Sequence, residues 1–382
     1  RHRHRHRHRH RHRHRHRHRH RHRHTDTDTD TDTDTDTDRN TDTQTHTDTD
    51  IQTYRHTDKG DTQTLANADT EKVSAQEEED MWNAAYEKLG EWAGDAIDEI
   101  SAAIADGKSS MNFRYRFEGV DQDGKNEDAG ASTLRSRYTF VSGVTSGFSV
   151  GLETDYVSVI GSEKYNSTVN GKTQYPVVAD PDGLDLNQAY IKYQSGKLTS
   201  TFGRQRILLG DQRFVGGVAW RQNEQTYDGI RLAYKASDSL TLDYSAITRV
   251  RRIFGPDDGV QPSKWDSNSH LFTATNTFAA GHKLSAFAYL LDFENGNGLP
   301  NSNATYGVSY DGTVSGFKIG AKLATQSDYA DNPISYDASM YSVSVARAFG
   351  KITASAGYES LGSDDGNNAF RTALATPHEF QG

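Results

Sequence analysis

The chain has no cysteine, which excludes disulfides, thiolate metal sites and cysteine nucleophiles. No run approaches the roughly 18 consecutive apolar residues of a membrane-spanning helix. That absence does not exclude a membrane β-barrel, whose strands alternate polar and apolar residues and build no hydropathy peak. Apolar content is low throughout, with 33% hydrophobic residues and a mean hydropathy of -0.85. A zinc-protease histidine pair and a phosphate-binding P-loop are both missing. Beyond the first 65 residues the histidines His270, His282 and His378 are far apart. No enzyme and no cofactor are expected.

The net charge of -10 averages unlike segments. Residues 1–24 are twelve Arg-His pairs, and residues 25–65 are mostly Thr-Asp repeats with 12 acids and 3 bases. This 1–65 stretch has almost nothing apolar to bury and cannot offset its ordering entropy, so it reads as a disordered or artefactual tail. Its alternate histidines would bind divalent metals in a test tube whatever its biology, and no nucleic-acid partner is expected. No secretory signal with an apolar core is visible at the start, although the location argued below would need one.

The 66–108 segment reads as an acidic amphipathic helix. Trp82, Ala85, Leu89, Trp92, Ala96, Ile100 and Ala103 recur at spacings of three and four, forming one apolar stripe. Glu77, Glu78, Glu79 and Asp80 suit its positive N-terminal end, and Gly107 is a stop. Oligomerisation, plugging and spacing are all open roles for it.

The remainder, 109–382, changes character. Aromatic residues are plentiful there, and across the chain Tyr (19) exceeds Phe (15), as expected where rings sit at a lipid–water boundary. Period-two segments separated by Gly, Asn and Asp clusters predict thirteen strands. They lie near 111–120, 132–142, 147–160, 185–194, 197–206, 226–236, 239–251, 269–279, 283–294, 303–311, 315–326, 336–348 and 350–360. Several are long enough to cross a bilayer at a tilt. Short connections (143–146, 280–282) alternate with long ones (161–184, 207–225, 252–268), the habit of outer-membrane barrels.

The two faces differ chemically. Phe113, Tyr115 and Phe117 alternate with Arg114, Arg116 and Glu118, and Phe317, Ile319 and Leu323 alternate with Lys318 and Lys322. A soluble sandwich would turn the apolar face inward. Strand length, strand number and an apolar face built from Tyr, Phe and small residues favour lipid on that side instead. The polar face then lines a pore. Its bases are Arg114, Arg116, Arg135, Arg137, Lys192, Arg204, Arg206, Arg231, Arg249, Arg251, Lys318 and Lys322. Its acids are Glu118, Glu153, Asp155, Asp243, Asp292 and Glu294. A basic lining in a low-dielectric wall concentrates anions, so an anion-preferring conduit is expected. The plainer alternative is that these charges pair across strands and stiffen the wall. Asp121-Gln-Asp-Gly124 and Asp180-Pro-Asp-Gly183 look faintly like calcium loops but lack the full ligand spacing, so both read as turns.

Several stretches resemble the alginate export family of outer-membrane porins. They are Phe113–Gly124, Tyr165–Gly183, Leu186–Tyr190, Gly203-Arg-Gln-Arg-Ile207, Arg213-Phe-Val-Gly216, Trp220–Asp228 and Arg252-Ile-Phe-Gly255. The resemblance spans about residues 100–382. It implies an all-β, antiparallel transmembrane barrel in a Gram-negative outer membrane, in contact with lipid and lipopolysaccharide and monomeric. The solute implied is an anionic oligo- or polysaccharide, or another organic anion, passing an arginine-lined constriction. Arg204 and Arg206 are the nearest carry-over positions, with Arg135, Arg137 and Arg249 as neighbours. A phosphate-type small-anion porin and a non-conducting binding barrel are the competing functions. Thirteen strands cannot close such a barrel, whose strand number is even, so the chain is expected to lack about three to five strands of some 16–18.

Overall fold

The computed structural model describes residues 75–366 and 368–376. The 1–65 tail, the start of the 66–108 segment and residues 377–382 lie outside the described residues. The first element is α1 (Ala75–Ala105). Thirteen strands of one sheet follow among the described residues: β1 (Lys108–Val120), β2 (Ala129–Val141), β3 (Phe148–Lys164), β4 (Gly183–Ser195), β5 (Leu198–Gln205), β6 (Thr226–Lys235) and β7 (Leu240–Arg251), then β8 (Lys264–Ala279), β9 (His282–Leu291), β10 (Asn303–Val314), β11 (Phe317–Asp328), β12 (Asp337–Phe349) and β13 (Ile352–Leu361), and a short separate ladder pairs Ser363–Asp364 with Asn368–Ala369. Each corresponds to one of the thirteen strands predicted.

The strands form one antiparallel meander in sequence order, and among the described residues β1 and β13 do not pair with each other. One edge of the sheet carries two- to six-residue turns, such as 196–197, 280–281 and 315–316. The other carries the long loops, including 165–182, 206–225 and 252–263. By the habit of outer-membrane barrels the short-turn edge is periplasmic.

Burial settles which face meets lipid. Phe113, Tyr115, Phe117, Phe202, Leu323, Val343 and Tyr358 are exposed, whereas Arg135, Glu153, Asp155, Ser245 and Gln326 are buried. This inverts a soluble protein, and it excludes the sandwich arrangement. The interior is filled by loop 206–225 and the segment 370–376, which together with the inner wall build an apolar cluster including Phe214, Val215, Tyr227, Val250, Phe287, Met340, Phe370 and Leu374. Val215 bridges Leu374, and the Gly216 amide donates to the Leu374 carbonyl at 2.8 Å.

The helix does not enter this interior. Trp82, Leu89, Trp92 and Ile100 are all more than half exposed. Its foot stands on the short-turn edge, where the Gly143 amide donates to the Ala103 carbonyl at 2.7 Å and the Thr145 hydroxyl donates to Glu99 at 2.9 Å. The stretch Gly147-Phe-Ser-Val-Gly151 has the spelling of a nucleophile elbow, which requires a strand-to-helix turn. Here it simply runs on into β3.

Val343 tests the inversion. It sits mid-way along β12 with its side chain outward and half exposed. Val343→Arg should destabilise refolding into lipid vesicles by about 2–4 kcal/mol, while Ser342→Arg, directed inward, should cost far less. Refolding monitored by tryptophan fluorescence against urea checks both.

Candidate functional site

The site lies where loop 206–225 meets the inner face of β1–β4. Arg137 of β2 faces Asp155 of β3 in register and holds it bidentately, both distances 2.6 Å. The same guanidinium reaches Glu224 of the loop at 3.1 Å. Arg206 binds Glu224 at 2.7 Å and also pairs with Glu153. Asn187 donates to both carboxylates, at 2.6 Å to Glu153 and 3.0 Å to Glu224, and Thr139 adds a third donor to Glu153 at 2.8 Å. Each buried carboxylate is thus surrounded by donors, the condition for keeping charge out of water.

The second half of the site holds loop backbone. Arg114 donates to the carbonyls of Ala219 (2.9 Å), Trp220 (3.0 Å) and Arg221, and to Gln222 Oε1 (3.0 Å). Arg135 lies directly opposite Arg114 in the β1–β2 register. It donates to the Gln222 carbonyl at 3.4 Å and to Asn112 at 3.2 Å. Gln222, fully buried, returns donors to the Arg114 carbonyl and the Thr133 hydroxyl. Like charges directly opposite each other destabilise a sheet. One buried loop glutamine joins this pair.

Asp180, from the faint calcium-loop spelling, instead accepts the Gln222 amide at 2.8 Å and pairs with Arg116 at 3.3 Å. Burial pushes its pKa up, against the pull of Arg221 and Arg116. Burial also pushes Glu224 up, but Arg206 and Arg137 outweigh it and hold the carboxyl below the ordinary glutamate value of 4.5.

Sequence reasoning placed some residues on the wrong face. Arg204, Arg249 and Arg251 do not line the pore. A bulge between Ile247 and Arg249 shifts the β7 register. A one-residue slip turns every following side chain to the other face. Ile247 and Val250 are therefore buried inside, and by the register Arg249 and Arg251 turn outward. Arg204 shares the outward face of Phe202, and Asp292 and Glu294 alternate with the buried Leu291 and Phe293. The result is an external ladder across four strands, with Arg204, Asp228, Arg249 and Asp266 in direct register. Its bridges are 2.7 Å for Arg204–Asp228, 3.7 Å for Arg249–Asp228 and 2.6 Å for Arg249–Asp266, and Arg251 adds 3.0 Å to Asp228. The bulge needs glycine beside it: a β-carbon on Gly229 would collide with the Ala246 carbonyl, and one on Gly203 with that of Ala189.

The other predicted residues do face inward. Arg116 pairs with Glu118, Arg231 with Asp243 at 2.8 Å, and Lys322 with Asp211 at 2.7 Å. Lys192 and Lys318 line hollows on the short-turn side. Sequence reasoning read Asp180 only as part of a turn and gave no role to Arg213, Gln222 and Glu224 within the stretches that carry the resemblance, all on loops. Arg213 crosses the interior to Glu359 on β13 at 2.6 Å. A loop outside the period-two pattern carries no facing signal, so only the tertiary fold could reveal these.

Glu224→Gln removes the carboxylate shared by Arg137 and Arg206, a loss of about 3–5 kcal/mol at a buried pair. Loop 206–225 should then become protease-sensitive and single-channel conductance should rise. In the unaltered protein Glu224 is depressed, so its contribution is complete above its unfolded value and disappears only as pH falls through its lower folded value. Conductance should therefore hold steady through the ordinary glutamate range and change only below it. Arg249→Gln, on the outer wall, should leave ion selectivity unchanged in bilayer recordings.

A family model described as alginate export matches residues 156–356, just over half of the chain. Comparison with curated proteins finds no match. Among solved structures, the chain is similar to Acinetobacter baumannii OccAB3, with a TM-score of 0.54 at 15% identity, covering 68% of each chain. It is also similar to Acinetobacter baumannii OccAB1, with a TM-score of 0.54 at 14% identity, covering 70% of this chain and 69% of that one. Pseudomonas aeruginosa OccK8 (OprE) gives 0.53 at 14% identity, covering 69% and 70%. At these identities the structural likeness concerns the fold.

Proposed function

Since the chain belongs to the alginate export family and is an outer-membrane channel, we propose that its lumen passes anionic oligo- or polysaccharide, or other organic anions, by passive diffusion and without catalysis. The observation that carries this reading is the imbalance among unpaired charges. Arg114, Arg135, Lys192 and Lys318 face inward, and no carboxylate lies within 4.0 Å of them among the described residues. The inward carboxylates Glu118, Glu153, Asp155, Asp180, Asp211, Glu224, Asp243 and Glu359 each have a base within that distance, and Asp185 alone among those named here does not.

Pairing neutralises most of the wall, as the plainer alternative anticipates. It leaves a small surplus of positive charge beside a low-dielectric wall, where such fields are focused. Guanidinium groups also match carboxylates geometrically, with planar forked donors. Retaining Arg114 opposite Arg135 costs stability and supplies positive potential where loop 206–225 meets the inner wall. The outward ladder pairs its charges with one another and adds rigidity to the wall.

The test is the reversal potential in a planar bilayer under a KCl gradient, using channel from native outer membrane. Chloride preference is expected, and the double variant Arg114→Gln, Arg135→Gln should move the potential toward cations. Cation preference in the unaltered channel would overturn the reading. Block by phosphate rather than by uronate oligomers would favour a small-anion porin.

A further inference from the structure

Below loop 206–225, on the short-turn side, the inner wall of β4–β6 encloses a hollow of about 370 Å³. It is lined by Gln188, Tyr190, Lys192, Thr199, Thr201, Gln205, Arg206, Arg231 and Ala233. Lys192, Thr201 and Arg231 lie directly across from one another in register on three adjacent strands. Neighbouring strands are about 4.8 Å apart, so the two bases flank one threonine hydroxyl with backbones about 10 Å apart. Arg231 is committed to Asp243, and Arg206 to Glu153 and Glu224. Lys192 has no carboxylate within ion-pair distance among the described residues, so its charge is available to a ligand.

Tyr190 is in register with Gly151 of β3, and its ring covers that glycine so closely that a β-carbon there would collide with it. The tyrosine is thereby laid along the wall beside Lys192. An aromatic ring, a free ammonium group and a set of hydroxyl and amide groups line one hollow. That combination suits a sugar ring bearing a carboxylate: the ring packs on the aromatic face, the hydroxyls meet the Thr and Gln side chains, and the carboxylate meets the ammonium.

We propose that this hollow is a binding subsite for one uronate residue, at which an anionic chain is held on the short-turn side of loop 206–225. This rests on the anionic-saccharide reading above and names a specific station within it. The volume lies within the range of small-ligand pockets.

The experiment is single-channel block of the native channel by a mannuronate trimer added from the short-turn side, with maltotriose as the uncharged control. Block by the trimer and not by maltotriose is expected. Lys192→Gln should shorten the mean block about tenfold, the loss expected for one charge-assisted hydrogen bond, and Lys192→Arg should largely restore it. Tyr190→Leu should also shorten trimer block, which a purely electrostatic role for Lys192 would not produce. Equal block times in the unaltered channel and Lys192→Gln would overturn the subsite while leaving the anion reading standing. Equal block by maltotriose would overturn carboxylate recognition. Absence of any trimer block in the unaltered channel would overturn the saccharide reading, and the subsite with it.

Discussion

A chain crossing hydrocarbon has no water with which to satisfy its amides and carbonyls, so every one must find a partner in the protein. From β2 to β12 the meander meets that demand on both edges with nearest neighbours in sequence, and β1 and β13 meet it along the edge each shares with its one neighbour. Short turns suffice on one edge, and the other edge is left free for long loops. The inversion of polarity follows as well. Once the outward face is given to lipid, the polar residues of each strand have only the interior, and there they must satisfy one another.

The interior solves that second problem with a loop. Loop 206–225 supplies apolar bulk on one side, through Phe214 and Val215, and polar partners on the other, through the backbone of 219–222 and the Glu224 carboxylate. The arginines of β1 and β2 are thus less a bare ladder than a set of clamps on an inserted segment. Charge that stays unpaired after this clamping is scarce, and it is what gives the lumen a sign. The same logic applies outside, where Arg204, Asp228, Arg249 and Asp266 alternate in sign across four strands and cancel at the lipid boundary.

Strand number, order and the lipid-facing pattern were legible because period-two alternation is a local property of each segment. Phe113, Tyr115 and Phe117 could be assigned to one face by counting, and so could Arg135 and Arg137 to the other. Counting also placed Arg116, Lys192, Arg231 and Lys322 inward, where they are. It failed for Arg249 and Arg251 because a bulge carries no strong spelling: Thr248 looks like any strand residue, yet the register slips beside it. Arg204 was placed on the pore face with the other bases, although it alternates in step with the lipid-facing Phe202, and that alternation is what the structure follows.

By itself, then, the amino-acid sequence determined an antiparallel membrane sheet of thirteen strands with an apolar outside and a charged inside, because burial against lipid or lumen is written residue by residue. The tertiary structure alone decided which charges remain uncompensated. Ion pairing depends on distances between segments far apart in the chain, such as Arg137 with Glu224 or Arg213 with Glu359, and on bulges that reverse facing, and neither leaves a periodic mark.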